Sequence, residues 1–252
     1  NMRPGALAKL GFDSASLRER HPRVIYCPIS GFGMDSAYPG RRALDTVIQA
    51  MSGLMGATLV DGVPVKAGIS ACDMLGGEFG LIAAVAALEI RDRTGVAEHF
   101  DLSMQDSAVW MTQLVWPGSE AGEPFSVHKA TDGWVVAAAA EADARALVPA
   151  PRGAVREALA AAFIAAGIDS APVLTVPEVA ASNQVAARGL IVECPTSDGP
   201  NWPLLGPPMR LLGSPASVRS AMPRLGKDDA ALIREFRLDA SMDLATSGVE
   251  HA

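Results

Sequence analysis

Apolar and polar residues follow one another along the chain in short blocks, and the spacing within each block predicts a helix or a strand. Residues 44–56 carry apolar side chains three and four positions apart, which predicts a helix. A longer and almost wholly apolar helix is predicted from Asp73 to Arg91, with its end at Thr94-Gly95. Two short helices are also predicted, at 6–10 and 14–20, and three strands, at 23–30, 64–69 and 98–104.

The alternation resumes after residues 117–124, whose content of Pro, Gly and Ser is typical of a linker. Beyond it we predict strands at 133–139 and 171–176, and helices at 152–166, 177–188 and 227–236. Strands that alternate with helices indicate an α/β protein with a parallel sheet. The expected organisation is a large-domain portion at 1–116, the linker at 117–124, a smaller α/β domain at 125–200 and a return to the large domain at 201–252.

Of the 252 residues 49% are apolar but only 5% are aromatic, so we expect a core of aliphatic layers packed on small residues. The longest apolar runs, 81–88 and 134–140, are shorter than the roughly 18 residues of a spanning helix, and no membrane association is expected. The cysteines Cys27, Cys72 and Cys194 lack paired spacing. We therefore expect neither disulfides nor a metal site, and a cytoplasmic location.

The formal net charge of −7 argues against a nucleic-acid-binding surface, but the charge is unevenly distributed. The first 42 residues contain seven basic and three acidic side chains, a net charge of +4, which leaves −11 on the remainder. The basic stretch is either a solvated helix face or a binding site for a small anionic ligand, such as a nucleotide.

A glycine-rich segment, residues 31–36, follows the first predicted strand. Gly31 and Gly33 fit the start of a dinucleotide-binding fingerprint, but Ser36 stands where the third glycine belongs. A plain turn is the better interpretation.

Cys72 is a potential nucleophile, with His21, His99 or His128 as its base. The spacing favours none of these histidines, and a small core residue is the better interpretation of this thiol.

Asp73, at the start of the long helix, has two interpretations. Asp before a helix is a preferred N-cap, because its carboxylate accepts hydrogen bonds from the first-turn amides. Alternatively Gly76-Gly77 leaves space beside a carboxylate that the helix N-terminus keeps ionised, which suits a nucleophile.

An ordered set of motifs resembles the class III CoA-transferases, the formyl-CoA transferase and CaiB/BaiF group. In the first half the set comprises Asn1-Met2-Arg3-Pro4-Gly5, Pro22-Arg23-Val24-Ile25-Tyr26, Ser30-Gly31-Phe32-Gly33, Asp45, Gln49-Ala50, Ser52-Gly53-Leu54, Asp73, Gly76-Gly77, Ala86-Ala87-Leu88, Arg91 and Thr94-Gly95. In the second half it comprises Asp132-Gly133-Trp134, Ala171-Pro172-Val173, Glu178-Val179, Arg188-Gly189-Leu190 and Pro223-Arg224-Leu225-Gly226.

The resemblance implies the class III fold, a Rossmann-like large domain plus a smaller α/β domain, in an interlocked homodimer. The family's N-terminal part has no counterpart before Asn1, so we expect the large domain to be incomplete. The family's glycine-rich loop has no counterpart in residues 110–132, and the His after the Leu-Gly of the C-terminal motif is replaced by Lys227-Asp228.

The resemblance also implies site residues. Asp73 is the catalytic carboxylate, which holds the acyl group and then CoA. Asp45 is a supporting acid beside it. The implied CoA-binding residues are Asn1, Met2, Arg3, Lys9 and Arg42.

The implied activity is transfer of CoA from an acyl-CoA to a carboxylic acid through an aspartyl anhydride and an aspartyl-CoA thioester, with CoA as substrate and no cofactor. Backbone amides from Asp73 to Gly77 are expected to stabilise the oxyanions. The alternatives are a non-catalytic fragment or interaction module and an acyl-CoA racemase, which would need a His-Asp pair where this chain has Leu44-Asp45. A Rossmann oxidoreductase is disfavoured by the incomplete fingerprint.

Overall fold

The structure is a computed structural model that describes residues 1–2, 5–116, 124–148, 153–196, 199–221 and 223–237. Contacts divide the chain into two compact units, Asn1–Pro124 and Phe125–Ala252. Each unit contains both helices and strands, so the chain is an α/β protein as expected. Of the expected linker at 117–124 only Pro124 lies within the described residues, and the four-part domain organisation stays a prediction.

The first unit is mostly helical. Its helices are α1 (Ala6–Lys9), α2 (Ser14–Arg20), α3 (Asp45–Met51), α4 (Leu54–Ala57), α5 (Ala71–Thr94) and α6 (Met104–Met111), and a 3-10 turn follows at Thr112–Val115. Its strands are β1 (Ile29–Ser30), β2 (Leu59–Val60), β3 (Val63–Pro64) and β4 (Leu102–Ser103).

Strands β1 and β4 form a parallel pair, in the register Ile29 with Leu102 and Ser30 with Ser103. The pairing continues towards the N-terminus through the amides of Phe100 and Leu102, which donate to Tyr26 O and Pro28 O at 3.1 and 3.0 Å. The predicted strands 23–30 and 98–104 are therefore neighbours, although the regular ladder is short. Pro28 has no N–H to donate to a ladder, which limits its length.

Helix α5 packs on this pair through its glycines. A Cβ built on Gly80 would lie 2.9 Å from Cδ1 of Ile29, so the helix approaches β1 closely only because both Gly76 and Gly80 lack side chains. Near the other end of α5, Arg91 donates to the carbonyl of Arg23. The helix thus runs antiparallel to β1, and its N-terminus lies at the carboxyl ends of β1 and β4, the edge where open α/β sheets bind ligands.

The predicted helix 44–56 is two helices, α3 and α4. Gly53 separates them with a φ of +89°, a left-handed conformation that ends α3 and that glycine adopts without steric cost. The predicted strand 64–69 is also shorter, because only Val63–Pro64 pairs with Leu59–Val60. The Asp61-Gly62 turn joins them, with both residues at positive φ as in a type I′ hairpin.

Helix α5 is long and apolar enough to span a membrane, and it is the only such helix among the residues described. Of its most apolar stretch, 22% is buried. Leu81, Ile82, Val85 and Leu88 are exposed along it. A single helix of this kind is weak evidence for a membrane, since the core helices of soluble proteins share its composition. The expected absence of membrane association stays a prediction.

The second unit holds the remaining elements. Its strands are β5 (Ser126–Ala130), β6 (Gly133–Ala137), β7 (Ser170–Pro172), β8 (Ile191–Cys194) and β9 (Trp202–Leu205). Its helices are α7 (Glu141–Leu147), α8 (Arg156–Ala165), α9 (Val176–Ala180), α10 (Asn183–Arg188) and α11 (Asp229–Phe236).

A three-stranded sheet in the order β5-β6-β7 forms the centre of this unit. One face of the sheet packs on α7 and α8 through a buried cluster around Val135, Leu159 and Phe163. Every pairing in the sheet is antiparallel, as are those of β2 with β3 and β8 with β9. The parallel sheet expected from element order is thus wrong for this unit, because β5 turns directly into β6 and the crossover through α7 and α8 returns the chain antiparallel to β6.

Arg156, at the start of α8, ties three segments of the second unit together. Its guanidinium pairs with Asp132 at 3.4 Å and with Glu178 at 2.5 Å, and it donates to Val173 O at 2.9 Å. The Arg156 side chain also fills the space over Gly133, where a Cβ would lie 2.7 Å from Arg156 Cδ. Only glycine fits at this turn.

Candidate active site

Asp73 is the third residue of α5 and its side chain is exposed at the carboxyl edge of β1 and β4. The N-cap is Ser70, whose side chain makes no capping hydrogen bond. The interpretation of Asp73 as an N-cap is therefore wrong, since the Asp73 backbone is already helical. Within the described parts of the chain, no hydrogen bond or ion pair engages the Asp73 carboxylate. The carboxylate lies at the positive end of the helix dipole.

The two glycines after Asp73 have different surroundings. A Cβ on Gly76 would lie 3.2 Å from Met104 Cγ, so this glycine allows the close packing of α5. Gly77 has no atom within 4 Å of a built Cβ. It lies four residues after Asp73, on the same face of the helix. Gly77 therefore leaves open space beside the carboxylate, as the nucleophile interpretation requires.

Asp45 lies directly behind the first turn of α5. Its Oδ1 accepts the amide of Cys72 at 2.9 Å and that of Asp73 at 3.4 Å, and its Oδ2 accepts Gln49 Nε2 at 2.7 Å. Lys66 Nζ is 3.4 Å from the same Oδ2. Burial acts to raise the pKa of Asp45, but these hydrogen bonds outweigh it and hold the pKa below its usual value. Asp45 is therefore an ionised cap for α5.

These contacts bear on the expected role of the helix amides. The N–H of Asp73 is bonded to Asp45, and that of Met74 to Ser70 O at 3.1 Å. From Leu75 onwards the amides are within the helix and bond to carbonyls four residues back. The expectation that the amides of Asp73–Gly77 stabilise an oxyanion is therefore wrong for this conformation.

Cys72 is completely buried beneath the helix start, in a cluster with Ile48 and Ala108. Burial, followed by the charges of Asp45 and Asp73, raises the pKa of its thiol to about 11. A thiol in these surroundings stays protonated near neutrality and is a poor nucleophile. The structure thus supports the interpretation of Cys72 as a core residue.

A cavity of about 370 Å³ lies in the first unit beside the residues that precede β1 and β4. Asn1 and Met2, two of the expected CoA-binding residues, line it, and Arg3 lies outside the described residues. Inside it Ser14 Oγ is 2.8 Å from His99 Nδ1, and the buried His99 Nε2 has no partner among the atoms described. The full lining is Asn1, Met2, Gly5, Leu7, Ala8, Asp13, Ser14, Arg18, Tyr26, Cys27, Pro28, Met34, His99, Phe100 and Asp101.

The structure does not bring the two expected phosphate-binding residues to this cavity. Lys9 is exposed at the end of α1 and Arg42 is exposed in the loop before α3, and neither lines the cavity. Among the residues described, Arg18 of α2 is the arginine that lines the cavity. Beside Arg42, the Arg41 guanidinium lies 5.5 Å from the ring centroid of Tyr38, a cation–π contact.

The segment 31–36 is a turn. Gly33 has a φ of +84° and its N–H donates to Ser30 Oγ at 3.0 Å. Gly31 packs so closely on Ala43 that a Cβ there would lie 2.0 Å from the Ala43 Cβ. Both glycines therefore serve the local backbone and packing, in agreement with the turn interpretation.

Two further side chains contact Asp45: Gln49, which the sequence places in a family motif without a role, and Lys66, which no motif contains. Gln49 is fully buried and lies four residues after Asp45 on α3, a spacing that places both side chains on one face of a helix. That spacing was a usable signal. Lys66 comes from the segment after β3, and its approach to Asp45 depends on tertiary structure.

A family model described as CoA-transferase family III matches residues 1–153 and 145–229. The chain belongs to CoA-transferase family III. A relative from Acetobacter aceti, an acetyl-CoA:oxalate CoA-transferase, is 31% identical over 94% of this chain and 72% of its own length. A succinate–glutarate CoA-transferase from Agrobacterium fabrum is 28% identical over 94% of this chain and 71% of its own length.

Solved structures agree with this assignment. A CaiB/BaiF family protein from Brucella suis superposes on this family III transferase with a TM-score of 0.79 and 26% identity, over 93% of this chain and 74% of its own. The expected class III fold is confirmed, and so is the expected class of enzyme, a CoA-transferase. The site residues stay predictions from their motifs and geometry.

Proposed function

We propose that this family III transferase moves CoA from an acyl-CoA to a carboxylic acid through covalent intermediates on Asp73. One observation carries the proposal: the Asp73 carboxylate is exposed on the first turn of α5, with open space beside it at Gly77. A carboxylate in this position is accessible and is carried on a regular helix, two properties that suit nucleophilic catalysis.

In the first half of the reaction an Asp73 oxygen attacks the thioester carbonyl of the donor. The carbon–sulfur bond breaks, CoA leaves as a thiolate, and a mixed anhydride joins Asp73 to the donor acyl group. The thiolate then attacks the Asp73 carbonyl carbon of the anhydride. The donor carboxylate leaves, and an aspartyl-CoA thioester remains.

The second half reverses these steps with the acceptor. A carboxylate oxygen of the acceptor attacks the aspartyl thioester and expels the CoA thiolate, which gives a second anhydride. The thiolate then attacks the acceptor carbonyl of that anhydride, which releases the new acyl-CoA and restores Asp73. No water takes part, so the thioester energy is conserved as long as the site excludes water.

The nucleotide part of CoA is proposed to occupy the cavity lined by Asn1 and Met2. Its position is suitable because the cavity and Asp73 flank the same two strands, with the cavity before β1 and β4 and Asp73 at their carboxyl edge. Arg18 offers a cation for a phosphate, and His99 Nε2 offers a buried polar atom that still lacks a partner. Lys9 and Arg42 add positive charge to the same unit.

The substrates are proposed to be short acids and their CoA esters. The names of the relatives mention acetyl-CoA with oxalate, and succinate with glutarate. These two pairs define a first assay panel. We further propose that the protein acts as a homodimer, because the exposed apolar residues of α5 require a cover in water.

The test of Asp73 uses Asp73→Asn with Asp106→Asn as the matched control. Asp106 is likewise the exposed third residue of a helix, α6, so both changes remove the same favourable interaction with a helix dipole, about 0.3–1 kcal/mol. We expect both variants to melt within a few degrees of the parent protein. Transfer of CoA within each of the two substrate pairs should be lost in Asp73→Asn and retained in Asp106→Asn.

The intermediate is also directly detectable. After incubation with acetyl-CoA or succinyl-CoA, hydroxylamine should convert residue 73 to a hydroxamate, located by peptide mass spectrometry. Transfer at the parental rate by Asp73→Asn, or a hydroxamate at another residue, would contradict the assignment. An active Asp73→Asn protein that exchanges the α-proton of an acyl-CoA would instead favour the racemase alternative, although Leu44 supplies no proton-transfer group. Absence of both activities in the parent protein would favour the non-catalytic alternative.

A further inference from the structure

The first turn of α5 has an unusual cap. Helix N-termini leave amides without intrahelical partners, and a nearby Ser, Thr, Asp or Asn normally accepts them. Here Ser70 makes no such bond, and the acceptor is Asp45, the first residue of α3, some 27 positions earlier in the chain. The direction of the helix that carries Asp73 therefore depends on a side chain from a separate element.

Asp45 is itself held by two further side chains. Gln49 is oriented at both ends: its Oε1 accepts Ala67 N–H at 3.0 Å, while its Nε2 donates to Asp45 Oδ2 at 2.7 Å and to Ile69 O at 3.1 Å. Lys66 Nζ lies 3.4 Å from Asp45 Oδ2 and 3.2 Å from Ile69 O. Gln49 and Lys66 thus connect α3 and the segment that leads into α5.

Both oxygens of Asp45 are occupied and the side chain is 7% exposed. Four donors converge on it: the amides of Cys72 and Asp73, the Gln49 amide group and the Lys66 ammonium. A carboxylate in this arrangement has no free oxygen with which to take a proton from a substrate. Its contacts instead hold the first turn of α5 in place.

We propose that Asp45, Gln49 and Lys66 are positioning residues that fix the first turn of α5 and thereby the orientation of the Asp73 carboxylate. The proposal rests on the proposed function of Asp73. In this role Asp45 acts neither as an acid nor as a base. The family motifs imply no role for Gln49 or Lys66, and the proposal gives both of them one.

A reciprocal exchange of the carboxylate of Asp45 and the amide of Gln49, both buried, distinguishes loss of hydrogen-bond geometry from simple loss of one group. Asp45 accepts from the helix amides with one oxygen and from Gln49 and Lys66 with the other. In Asp45→Asn one of these oxygens becomes an NH₂ group, so a donor then faces another donor. Adding Gln49→Glu restores the match with the helix amides and between residues 45 and 49: the residue-45 oxygen still accepts the helix amides, and its NH₂ group donates to the new carboxylate. Lys66 loses its acceptor at residue 45, but the negative charge stays on residue 49, the hydrogen-bonded neighbour of residue 45. The charge is unchanged, Ala67 N–H keeps its acceptor, and Ile69 O keeps Lys66.

The measurements are kcat and KM on the two substrate pairs, and hydrogen exchange at the amides of Cys72 and Asp73. We expect Asp45→Asn to lower kcat by about tenfold to a hundredfold with a much smaller change in KM, since slight misplacement of a reacting group has effects of this size. Both amides should exchange faster. The double variant should recover most of kcat and of the protection. Asp61→Asn, the same change at an exposed turn, should leave all of these values unchanged.

Parental kcat and parental amide protection in Asp45→Asn would overturn the proposal. So would a double variant that regains its amide protection but not its kcat, because the negative charge at position 45 would then be the important property. If Asp45→Asn does not fold, Lys66→Gln provides the test, since Lys66 is one-third exposed: it should lower both kcat and protection modestly, and no change would count against the network. Activity retained in Asp73→Asn would refute the proposed function alone, because exchange at residues 72 and 73 still reports whether Asp45 holds the helix start.

Discussion

At the scale of single residues, substitution of Gly77 would distinguish the requirements of folding from those of the proposed catalysis. Alanine at an exposed helix position is favoured over glycine by about 1 kcal/mol, and nothing lies within 4 Å of a Cβ at Gly77. We therefore expect Gly77→Ala to raise the melting temperature. The new methyl group would nevertheless occupy the open space beside Asp73, so transfer activity should fall.

The control for this substitution is Gly56→Ala. Gly56 lies in α4, is exposed and also has no neighbour within 4 Å of a built Cβ, so it should give similar stabilisation with unchanged activity. Thermal melts and steady-state rates of both variants test the expectation. A fully active Gly77→Ala protein would show that the space beside Asp73 is not used by substrate.

The basic residues of the first unit differ in position, and CoA affinity should reflect this. Arg18→Glu should weaken binding of free CoA most strongly, because Arg18 lines the cavity. The Lys9→Glu, Arg42→Glu double variant should weaken it less and mainly at low salt, since exposed charges act over distances that salt screens. Calorimetric titration of CoA at two ionic strengths distinguishes the two effects. Parental affinity in Arg18→Glu would argue against nucleotide binding in the cavity.

The sequence indicated some residues of the site better than others. Asp73 and Gly77 are indicated by the sequence because their proposed roles depend on positions within one helix. Gln49 stands in a family motif and four residues after Asp45, but its contacts with Ala67 and Ile69 depend on the fold that brings α3 and the segment after β3 together. The contact of Lys66 with Asp45 depends on the same fold, and no local pattern indicates it. The cap of α5 could not be predicted for the same reason: the residue before the helix, Ser70, has the right chemistry but is not used.

At the scale of elements, we expect the Arg156 cluster to make the stability of the second unit depend on pH. Hydrogen bonds from Arg156, and then from Thr175, lower the pKa of Glu178 from 4.5 to about 2. Because the folded-state pKa is the lower one, the stabilisation is complete above about pH 4.5 and is lost as the pH falls towards 2. Glu178→Gln should therefore lower the melting temperature near neutrality, and the difference from the parent should shrink below pH 4.5.

Melting curves by circular dichroism from pH 7 to pH 2 provide the measurement, with Glu157→Gln as control. Glu157 is in the first turn of α8 and its side chain is exposed. Its replacement should change the pH dependence much less than Glu178→Gln does, because Glu157 makes no ion pair within the described residues and a helix dipole acts weakly on an exposed carboxylate. A constant gap between Glu178→Gln and the parent at every pH would mean that the ion pair contributes nothing that depends on its charge.

Elements with local signals were predicted well. α2 matches its predicted bounds, and α5 ends at Thr94 before Gly95 in the left-handed conformation, as the sequence indicates. Strands were predicted less well, since a strand forms only where a partner is in register. Residues 126–130 pair along their whole length with β6 but were not predicted, whereas 23–30 pair regularly over only two residues.

At the scale of the whole molecule, the exposed apolar surface of α5 predicts association. Sedimentation at micromolar concentration should give a species heavier than the 26.1 kDa chain, and dilution should shift it towards the monomer mass with loss of activity. Ile82→Lys, which adds charge to the exposed face of α5, should weaken the association, while Asp92→Lys at the polar end of the helix should not. A monodisperse and active monomer would contradict the proposed homodimer.

The burial of Cys72 has a consequence for chemical selectivity. The proposed reaction produces a CoA thiolate and activated acyl groups at Asp73, and Cys72 is the residue before Asp73 in the chain. An accessible thiolate there would become acylated, or form a mixed disulfide with CoA in an oxidising cell, and either product would inactivate the enzyme. With its sulfur enclosed and its pKa near 11, Cys72 is excluded from this exchange, so acyl transfer beside Asp73 is restricted to oxygen and the Cys72 thiol should resist alkylating reagents in the folded protein.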